Sequence, residues 1–391
     1  MSLSHPDVLA ERRGRFGLIT LNRPKALNAL SLEMVRALTA TLRAWADDDQ
    51  VTAVAVRGMG REGPFGAFCA GGDIRFFHQA ALAGDPRLED FFTEEYTLNH
   101  LVHRFPKPYV VLMDGIVMGG GMGIAGHGAS QALRVATERT KMAMPETNIG
   151  LFPDVGGGWF LARCPGHIGE YLALTGQVIG AADARYAALA DTVLASADLP
   201  SLWEKMADGD AAALDALPIT TSMTAATGAS AASTGSAATD AASAAGAVLP
   251  AARASMDRVF GLPTVQEMVQ ALASEAAAGD AWAAQTLAAL RQRSPLMLHV
   301  VLDQIRRARG MSLAQDLRME RDMVRHCFRT EHLGRTGAAS ETVEGIRALA
   351  VDKDHSPKWN PSRIEDVTPE MVAPFFESPW PDFAHPLRDL A

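Results

Sequence analysis

Short β-rich segments alternate with amphipathic helical segments through the first half of this chain, and the alternation restricts the folds that it can adopt. Ser31 precedes apolar residues at helical spacing, so we expect it to cap the first amphipathic helix. Strands that recur between helices predict an α/β core with glycine-rich turns. The β-rich segments are residues 15–22, 51–57, 108–113 and 132–136.

The second half of the chain has a helical pattern. Thr264 is followed three residues later by Glu267, a capping-box sequence that precedes an apolar helical face. A further helix is expected over residues 311–328.

A segment of unusual composition lies between the two halves. Residues 221–250 contain 12 alanines, and their only charged residue is Asp240. This composition indicates a surface insertion or linker, flexible or weakly helical, although an alanine-rich helix is also compatible with it. The predicted division is an α/β core at residues 1–200, an Ala/Ser-rich insertion or linker at 201–255, and a helical C-terminal region at 256–391 that packs on the core.

Composition excludes several classes of protein. Hydrophobic residues make up 48% of the 391 residues and charged residues 21%, which is typical of a globular protein and not of a disordered one. The net charge of -9 argues against binding to nucleic acid or to an anionic membrane surface. Three cysteines without metal-ligand spacing argue against a disulfide scaffold and predict a reducing compartment. No signal-peptide pattern or apolar run of about 20 residues is present, so a cytoplasmic protein without a membrane segment is expected.

Two glycine-rich segments can place backbone amides next to a ligand. Residues 67–74 (AFCAGGDI) contain a Gly-Gly pair, and Asp73 can cap a helix that begins after it. Residues 118–123 (MGGGMG) follow a strand, but Ile124 leaves the dinucleotide-binding fingerprint incomplete, and no phosphate-binding Walker pattern is present. If each turn supplies one N–H group, the two together can form a two-donor oxyanion hole. Taken alone, each turn is also compatible with an ordinary tight turn.

Three carboxylates are candidates for acid–base chemistry. Glu146 and Asp154 lie in residues 144–158, where each follows a proline and has apolar neighbours that can raise its pKa. Both are also compatible with a capping role. Glu95 lies beside Glu94 in a helix rich in aromatic residues, where a solvated helix face is the simpler alternative. No zinc-binding HExxH sequence and no Gly-x-Ser-x-Gly elbow occur.

Four segments occur in the order and spacing of the crotonase (enoyl-CoA hydratase/isomerase) superfamily, which the chain resembles over residues 5–200. The resemblance implies a spiral of ββα units with a helical C-terminal extension, and a coenzyme A thioester as the substrate. It also implies that the N–H groups of Gly72 and Gly120 hold the thioester oxygen. The four segments are residues 21–30 (LNRPKALNAL), 68–74 (FCAGGDI), 118–121 (MGGG) and 144–146 (MPE).

Within the superfamily, the chain is most similar to the 3-hydroxyisobutyryl-CoA hydrolase family. This closer resemblance implies hydrolysis of a short branched 3-hydroxyacyl-CoA thioester to the free acid and CoA, in valine catabolism. It also implies that Glu95, Gly120, Glu146 and Asp154 are substrate or catalytic positions. The segments that carry it are residues 94–99, 144–158, 341–347 and 352–359.

The resemblance also separates hydrolysis from hydration. Hydratases of the superfamily use two glutamates, and the place of the first is taken here by Gly123, whereas the second corresponds to Glu146. They have glycine where this chain has Asp154. Hydrolysis is therefore the first hypothesis. A hydratase or isomerase acting on another acyl-CoA, or a non-catalytic acyl-CoA-binding protein, are the alternatives.

The remaining expectations concern the rest of the substrate. Gly71 and Gly119 are expected to line the substrate site beside the two oxyanion glycines, and Arg23 and Lys25 are candidates for binding the anionic coenzyme A. Glu95 is expected to line the acyl pocket. We expect no cofactor and no metal, since coenzyme A belongs to the substrate. A homo-oligomer is left open, and so is the choice between Glu146 as general base and as nucleophile.

Overall fold

The computed structural model describes residues 5–128, 131–209 and 247–391. Most of the alanine-rich segment predicted at residues 221–250 lies outside these described residues. The strands are β1 Val8–Arg13, β2 Phe16–Leu21, β3 Ala53–Gly58, β4 Tyr109–Met113, β5 Ile116–Met118, β6 Ala132–Thr137, β7 Lys141–Ala143, β8 Thr192–Leu194, β9 Arg329–Thr330 and β10 Arg335–Thr336. The main sheet has the strand order β1-β2-β3-β4-β6-β8, in which only the β1–β2 pair is antiparallel.

The four predicted strands are confirmed as β2, β3, β4 and β6. The glycine turn at residues 118–123 does not follow β4 directly, as the sequence suggested, because the three-residue strand β5 lies between them. β5 pairs in parallel with β7, and isolated bridges join Cys69 to Val117 and Leu30 to Gly72. Each turn of the spiral thus adds one strand to the main sheet and one short extended segment beside it. The short segments bring the two glycine turns together.

The helices begin where the sequence predicts caps. Ser31 accepts a hydrogen bond from the Met34 N–H, and Asp73 accepts one from Phe76. The helices are α1 Leu32–Ala46, α2 Ile74–Ala83, α3 Arg87–His103, α4 Gly120–Gly123, α5 Gly157–Leu161, α6 Ile168–Thr175, α7 Ala181–Tyr186, α8 Leu199–Ala207, α9 Leu249–Phe260, α10 Val265–Ala277, α11 Ala281–Arg291, α12 Pro295–Ala308, α13 Leu313–Phe328, α14 Glu341–Ile346 and α15 Pro369–Val372.

The C-terminal helices pack on the α/β core, so the mixed α/β fold with a helical extension is confirmed. α13 lies against α3 and α12 against α5 and α6, while α14 contacts α2 and the 3₁₀ turn Glu146–Ile149. The three-part division of the chain stays a prediction. The predicted middle part, residues 201–255, begins within α8 and ends within α9. The apolar faces of both helices are buried against the core. None of the helices in the described ranges is long and apolar enough to cross a membrane.

Candidate active site

A cavity of about 220 Å³ lies where the two glycine turns meet the turn that carries Glu146. Ile74 and Phe77 of α2 form part of its wall, and Leu349 of the C-terminal region lies at the same cavity. It brings together most of the predicted site residues, namely Gly71, Gly72, Glu95, Gly119, Gly120, Glu146 and Asp154.

The amides of Gly72 and Gly120 are free to bind a ligand. The Leu30 N–H donates to the Gly71 carbonyl at 2.8 Å, and the Asp73 N–H donates to the Leu30 carbonyl at 3.0 Å, so the intervening Gly72 N–H points away from this pairing. Within the described residues, neither the Gly72 nor the Gly120 N–H has a protein acceptor. Two unpaired donors at the rim of one cavity can hold a developing oxyanion.

Asn28 fixes the first glycine turn, and the sequence reasoning did not single it out. It has the left-handed φ of 57° that asparagine tolerates better than most residues. Its Nδ2 donates to the carbonyls of Ala67 and Phe68 at 3.0 Å, and the Arg23 N–H donates to its Oδ1 at 2.8 Å. The sequence signal that could have indicated this role is the position of Asn28 in the segment LNRPKALNAL, one of the four segments that carry the family resemblance.

Gly120 is in close contact with Glu95. A Cβ atom at Gly120 would lie 2.5 Å from Glu95 Oε1 and 3.4 Å from the Gly72 nitrogen. A side chain there would therefore displace either the Glu95 carboxyl or the amide.

We expect Gly120→Ala to lower kcat for the reaction of this site by about 100-fold, the typical cost of one oxyanion donor. The matched control is Gly310→Ala, because a Cβ atom there meets no atom within 4 Å. Steady-state kinetics of both variants tests the expectation, and unchanged kcat in Gly120→Ala would argue against an oxyanion role for this turn.

Glu146 is buried at the start of its 3₁₀ turn, with Oε2 lacking any hydrogen-bond partner among the described residues. The opposite oxygen, Oε1, lies 2.9 Å from the place of a Cβ at Gly119. Burial, assisted by the charge of Asp154, raises the pKa of Glu146 well above its usual range. An unpaired carboxyl in such surroundings is available to bind a water molecule or to attack a bound carbonyl.

Asp154 has one partner that the sequence reasoning missed. Its Oδ2 accepts a hydrogen bond from the Tyr96 hydroxyl at 2.9 Å. Burial raises the pKa of Asp154 to about 7, although the Tyr96 hydrogen bond acts in the opposite direction. Asp154 can therefore hold or release a proton near neutral pH.

Glu95 and Glu94 have different environments, so their helix is not simply a solvated face. Glu94 pairs with Arg36 at 2.6 Å near the surface, whereas Glu95 is buried and its Oε1 lacks a partner within the described residues. Burial is the largest cause that raises the pKa of Glu95, followed by the charges of Asp154 and Glu146.

The three carboxyls share one apolar cavity without a neutralising cation. In the part of the chain that the structure describes, no lysine or arginine forms an ion pair with Glu95, Glu146 or Asp154. Burial raises the pKa of all three, and the charge of Asp154 raises the pKa of Glu95 and Glu146 further. Burial in this cavity therefore favours the protonated form of each carboxyl more than water does.

Arg23 and Lys25 lie outside this cavity. The Arg23 guanidinium donates to Asp73 at 2.8 Å and to the Ala29 carbonyl at 2.9 Å, and Lys25 is exposed. Their predicted role in binding coenzyme A stays a prediction.

The space beside Gly123 is filled. A Cβ atom at Gly123 would lie 2.7 Å from Val155 Cβ and 2.8 Å from Asn99 Nδ2. Asn99 is fully buried, and Val155 directly follows Asp154. A glutamate at position 123 could not be accommodated without moving these residues.

The enoyl-CoA hydratase/isomerase family model matches residues 16–376. The chain therefore belongs to this family, and the predicted resemblance is confirmed.

Its relatives include curated hydrolases. The mitochondrial 3-hydroxyisobutyryl-CoA hydrolase of Gallus gallus is 38% identical over 369 residues, which cover 94% of this chain and 88% of that protein. The probable 3-hydroxyisobutyryl-CoA hydrolase 3 of Arabidopsis thaliana is 37% identical and covers 96% and 92% of the two chains. A solved structure described as a carnitinyl-CoA dehydratase, from Mycobacterium thermoresistibile, superposes with a TM-score of 0.78 at 36% identity, over 95% of this chain and 97% of that one.

These comparisons do not support the expected compartment. The Gallus gallus relative is named as mitochondrial, which does not fit a strictly cytoplasmic location. A cytoplasmic location, the absence of a cofactor or metal, and the oligomeric state stay predictions.

Proposed function

We propose that this chain is an acyl-CoA thioester hydrolase that converts 3-hydroxyisobutyryl-CoA into 3-hydroxyisobutyrate and CoA, as a step of valine catabolism. The observation that carries the proposal is the pair of amides of Gly72 and Gly120, which have no acceptor among the described residues and border the same cavity as Glu146. Relatives that match nearly the whole chain at 37–38% identity carry the name of this hydrolase. We place the reaction in the cytoplasm as the first hypothesis.

The thioester carbonyl would lie between the two amides. Addition at the carbonyl carbon makes a tetrahedral oxyanion, and hydrogen bonds from Gly72 and Gly120 stabilise it more than they stabilise the neutral carbonyl. Collapse of this intermediate breaks the C–S bond, and the CoA sulfur leaves with a proton. Asp154, with a pKa of about 7, is suited to deliver that proton or to hold the water.

Glu146 can initiate the reaction by either of two routes. As a general base it takes a proton from water, whose oxygen then enters the product acid. As a nucleophile its carboxylate displaces the CoA thiolate and forms an anhydride, which water hydrolyses. A single turnover in heavy-oxygen water tests the anhydride route, since label in the Glu146 carboxyl requires the anhydride and its absence counts against that route.

Glu95 would bind the acyl group. Its buried Oε1, which lacks a partner within the described residues, lies beside the Gly120 turn, where the 3-hydroxyl of a short acyl chain can supply the missing hydrogen bond. The apolar wall formed by Ile74 and Phe77 suits a branched methyl group. The proposed chemistry uses side chains, backbone amides, water and the substrate.

Hydration of an enoyl-CoA is the second candidate, because the name of the solved Mycobacterium thermoresistibile structure describes a dehydratase. The filled space beside Gly123 argues against it, since this position cannot carry a second glutamate to hold the water.

A panel of acyl-CoA esters tests the proposal. We expect thiol release from 3-hydroxyisobutyryl-CoA to be the fastest in the panel, with no loss of the enoyl absorbance of crotonyl-CoA. Hydration of crotonyl-CoA without thiol release would overturn the hydrolase assignment.

A further inference from the structure

We propose that Glu320, on helix α13 of the C-terminal region, is a positioning residue. It holds the loop that contains Asp154 (residues 153–158) in the conformation that the reaction needs. This inference rests on the proposed function, because Asp154 takes part in the reaction there. Glu320 does not line the cavity, and the resemblance did not point to it.

Glu320 binds the backbone immediately after Asp154. Its Oε2 accepts the Gly156 N–H at 2.7 Å, and its Oε1 accepts the Gly158 N–H at 3.0 Å. Asp316, one helical turn earlier, accepts the Trp159 N–H at 2.9 Å. Two carboxyl groups of one helix face thus bind three amides at the start of α5, which would otherwise lack acceptors.

The other side of the loop is held as well. Gln304 of α12 donates to the Pro153 carbonyl at 2.7 Å and to Glu320 Oε1 at 3.2 Å. His127 contacts the Val155 carbonyl through Nε2 at 2.7 Å. The backbone on both sides of Asp154 is therefore fixed by buried side chains from distant parts of the chain.

The loop needs this support because its conformation is unfavourable. Val155 has a φ of 56° and Gly156 a φ of 85°, so two consecutive residues are left-handed. A β-branched residue is strained in this region and persists there only where the surroundings enforce it. This conformation places the Asp154 side chain in the cavity, where Tyr96 donates to it.

Asp316 and Glu320, the two carboxyl groups that support the loop, both have raised pKa values. Burial raises the pKa of Asp316 to about 6, and burial with the charge of Asp316 raises that of Glu320 well above its usual range. A glutamine at position 320 has one carbonyl oxygen and an NH₂ group, so it can accept only one of the two amides that Glu320 holds.

The test is a double-mutant cycle between Glu320→Gln and Asp154→Asn, measured as kcat and KM for thiol release. We expect Glu320→Gln alone to lower kcat about 10- to 100-fold, as small misplacements of reacting groups do, with KM changed less than about 2-fold. In the Asp154→Asn background the same substitution should change kcat by less than about 2-fold, because Asp154 is the group through which Glu320 acts.

Asp183→Ala is the control for stability, because asparagine would keep the one oxygen, Oδ1, that accepts both amides at this position. Asp183 is also a buried carboxylate that accepts two amides, those of Val248 and Leu249 at 2.9 Å, and it does not line the cavity. We expect it to lower Tm and to keep wild-type kcat. Equal kcat losses from Glu320→Gln with and without Asp154, or a wild-type kcat in Glu320→Gln, would overturn the proposal.

Gln304→Met is a second variant in case Glu320→Gln does not fold. It removes the donor to the Pro153 carbonyl and keeps a side chain of similar volume. We expect it to lower kcat in the wild-type background and to have little effect on kcat in the Asp154→Asn background. The wild-type assay separates the two hypotheses. Absence of thiol release by the wild type counts against the proposed function, whereas a defective cycle in an active enzyme counts against the role of Glu320.

Discussion

Glu146→Gln should lower kcat for thioester hydrolysis by about 1000-fold and change KM for the acyl-CoA by less than about 3-fold. Glutamine keeps the size of the side chain but can neither accept a proton from water nor form an anhydride. Binding should persist because the amides of Gly72 and Gly120 and the apolar wall are untouched. Thiol release under steady-state conditions measures both constants.

The matched control is Glu170→Gln. Glu170 is as deeply buried as Glu146, but its partners are His167 and Arg309, and none of the three lines the cavity. We expect it to lose stability and to keep kcat within about 2-fold of wild type. If Glu146→Gln bound acyl-CoA and changed no rate, the chain would be better described as an acyl-CoA-binding protein.

Asp154→Asn should lower kcat about 100-fold and at the same time make the protein more stable at pH 8. The pKa of Asp154 is raised from 3.8 to about 7 by burial, so the folded state favours its protonated form. The stability that this carboxyl contributes is fully present below pH 3.8 and is lost as pH rises towards 7. Complete ionisation then costs about 4 kcal/mol, which asparagine avoids while it still accepts the Tyr96 hydroxyl.

Chemical unfolding between pH 5 and pH 8 measures this effect. The stability of Asp154→Asn relative to wild type should grow as pH rises over this range. Asp85→Asn is a control without pH dependence in this range, because Arg87 lowers the pKa of Asp85 below 3.8 and its stabilising contribution is lost only at more acidic pH. A pH-independent difference between Asp154→Asn and wild type would show that Asp154 is not held protonated by burial.

Features that depend on neighbours in the sequence were predictable. The caps at Ser31, Asp73 and Thr264 follow from side chains that reach an amide two or three residues ahead. The glycine turns follow from the backbone freedom of glycine. The short strands β5 and β7 were missed because three residues carry too little alternation to be recognised.

Features that depend on tertiary contacts were not predictable from local pattern. The meeting of Glu95, Glu146 and Asp154 in one cavity was implied by the family resemblance, whereas spacing in the sequence could not supply it. Tyr96 stands next to Glu95, but nothing local indicates that its hydroxyl contacts Asp154. Glu320 was inaccessible to sequence reasoning, because the amides that need an acceptor become apparent only once the loop is folded.

The contact of helix α14 with the turn that carries Glu146 affects when in its synthesis the protein can become active. A Cβ at Gly150 would lie 2.5 Å from the Glu341 carbonyl oxygen, and Thr342 donates to the Gly150 carbonyl at 2.7 Å, so α14 is closely fitted to the end of this turn. All three cavity carboxyls leave the ribosome well before this helix does. A nascent chain would therefore carry the complete set of reactive groups in an open, hydrated cleft. We therefore expect a chain that ends before α14 to release thiol from acyl-CoA more slowly than the full chain, because its Glu146 turn lacks this contact.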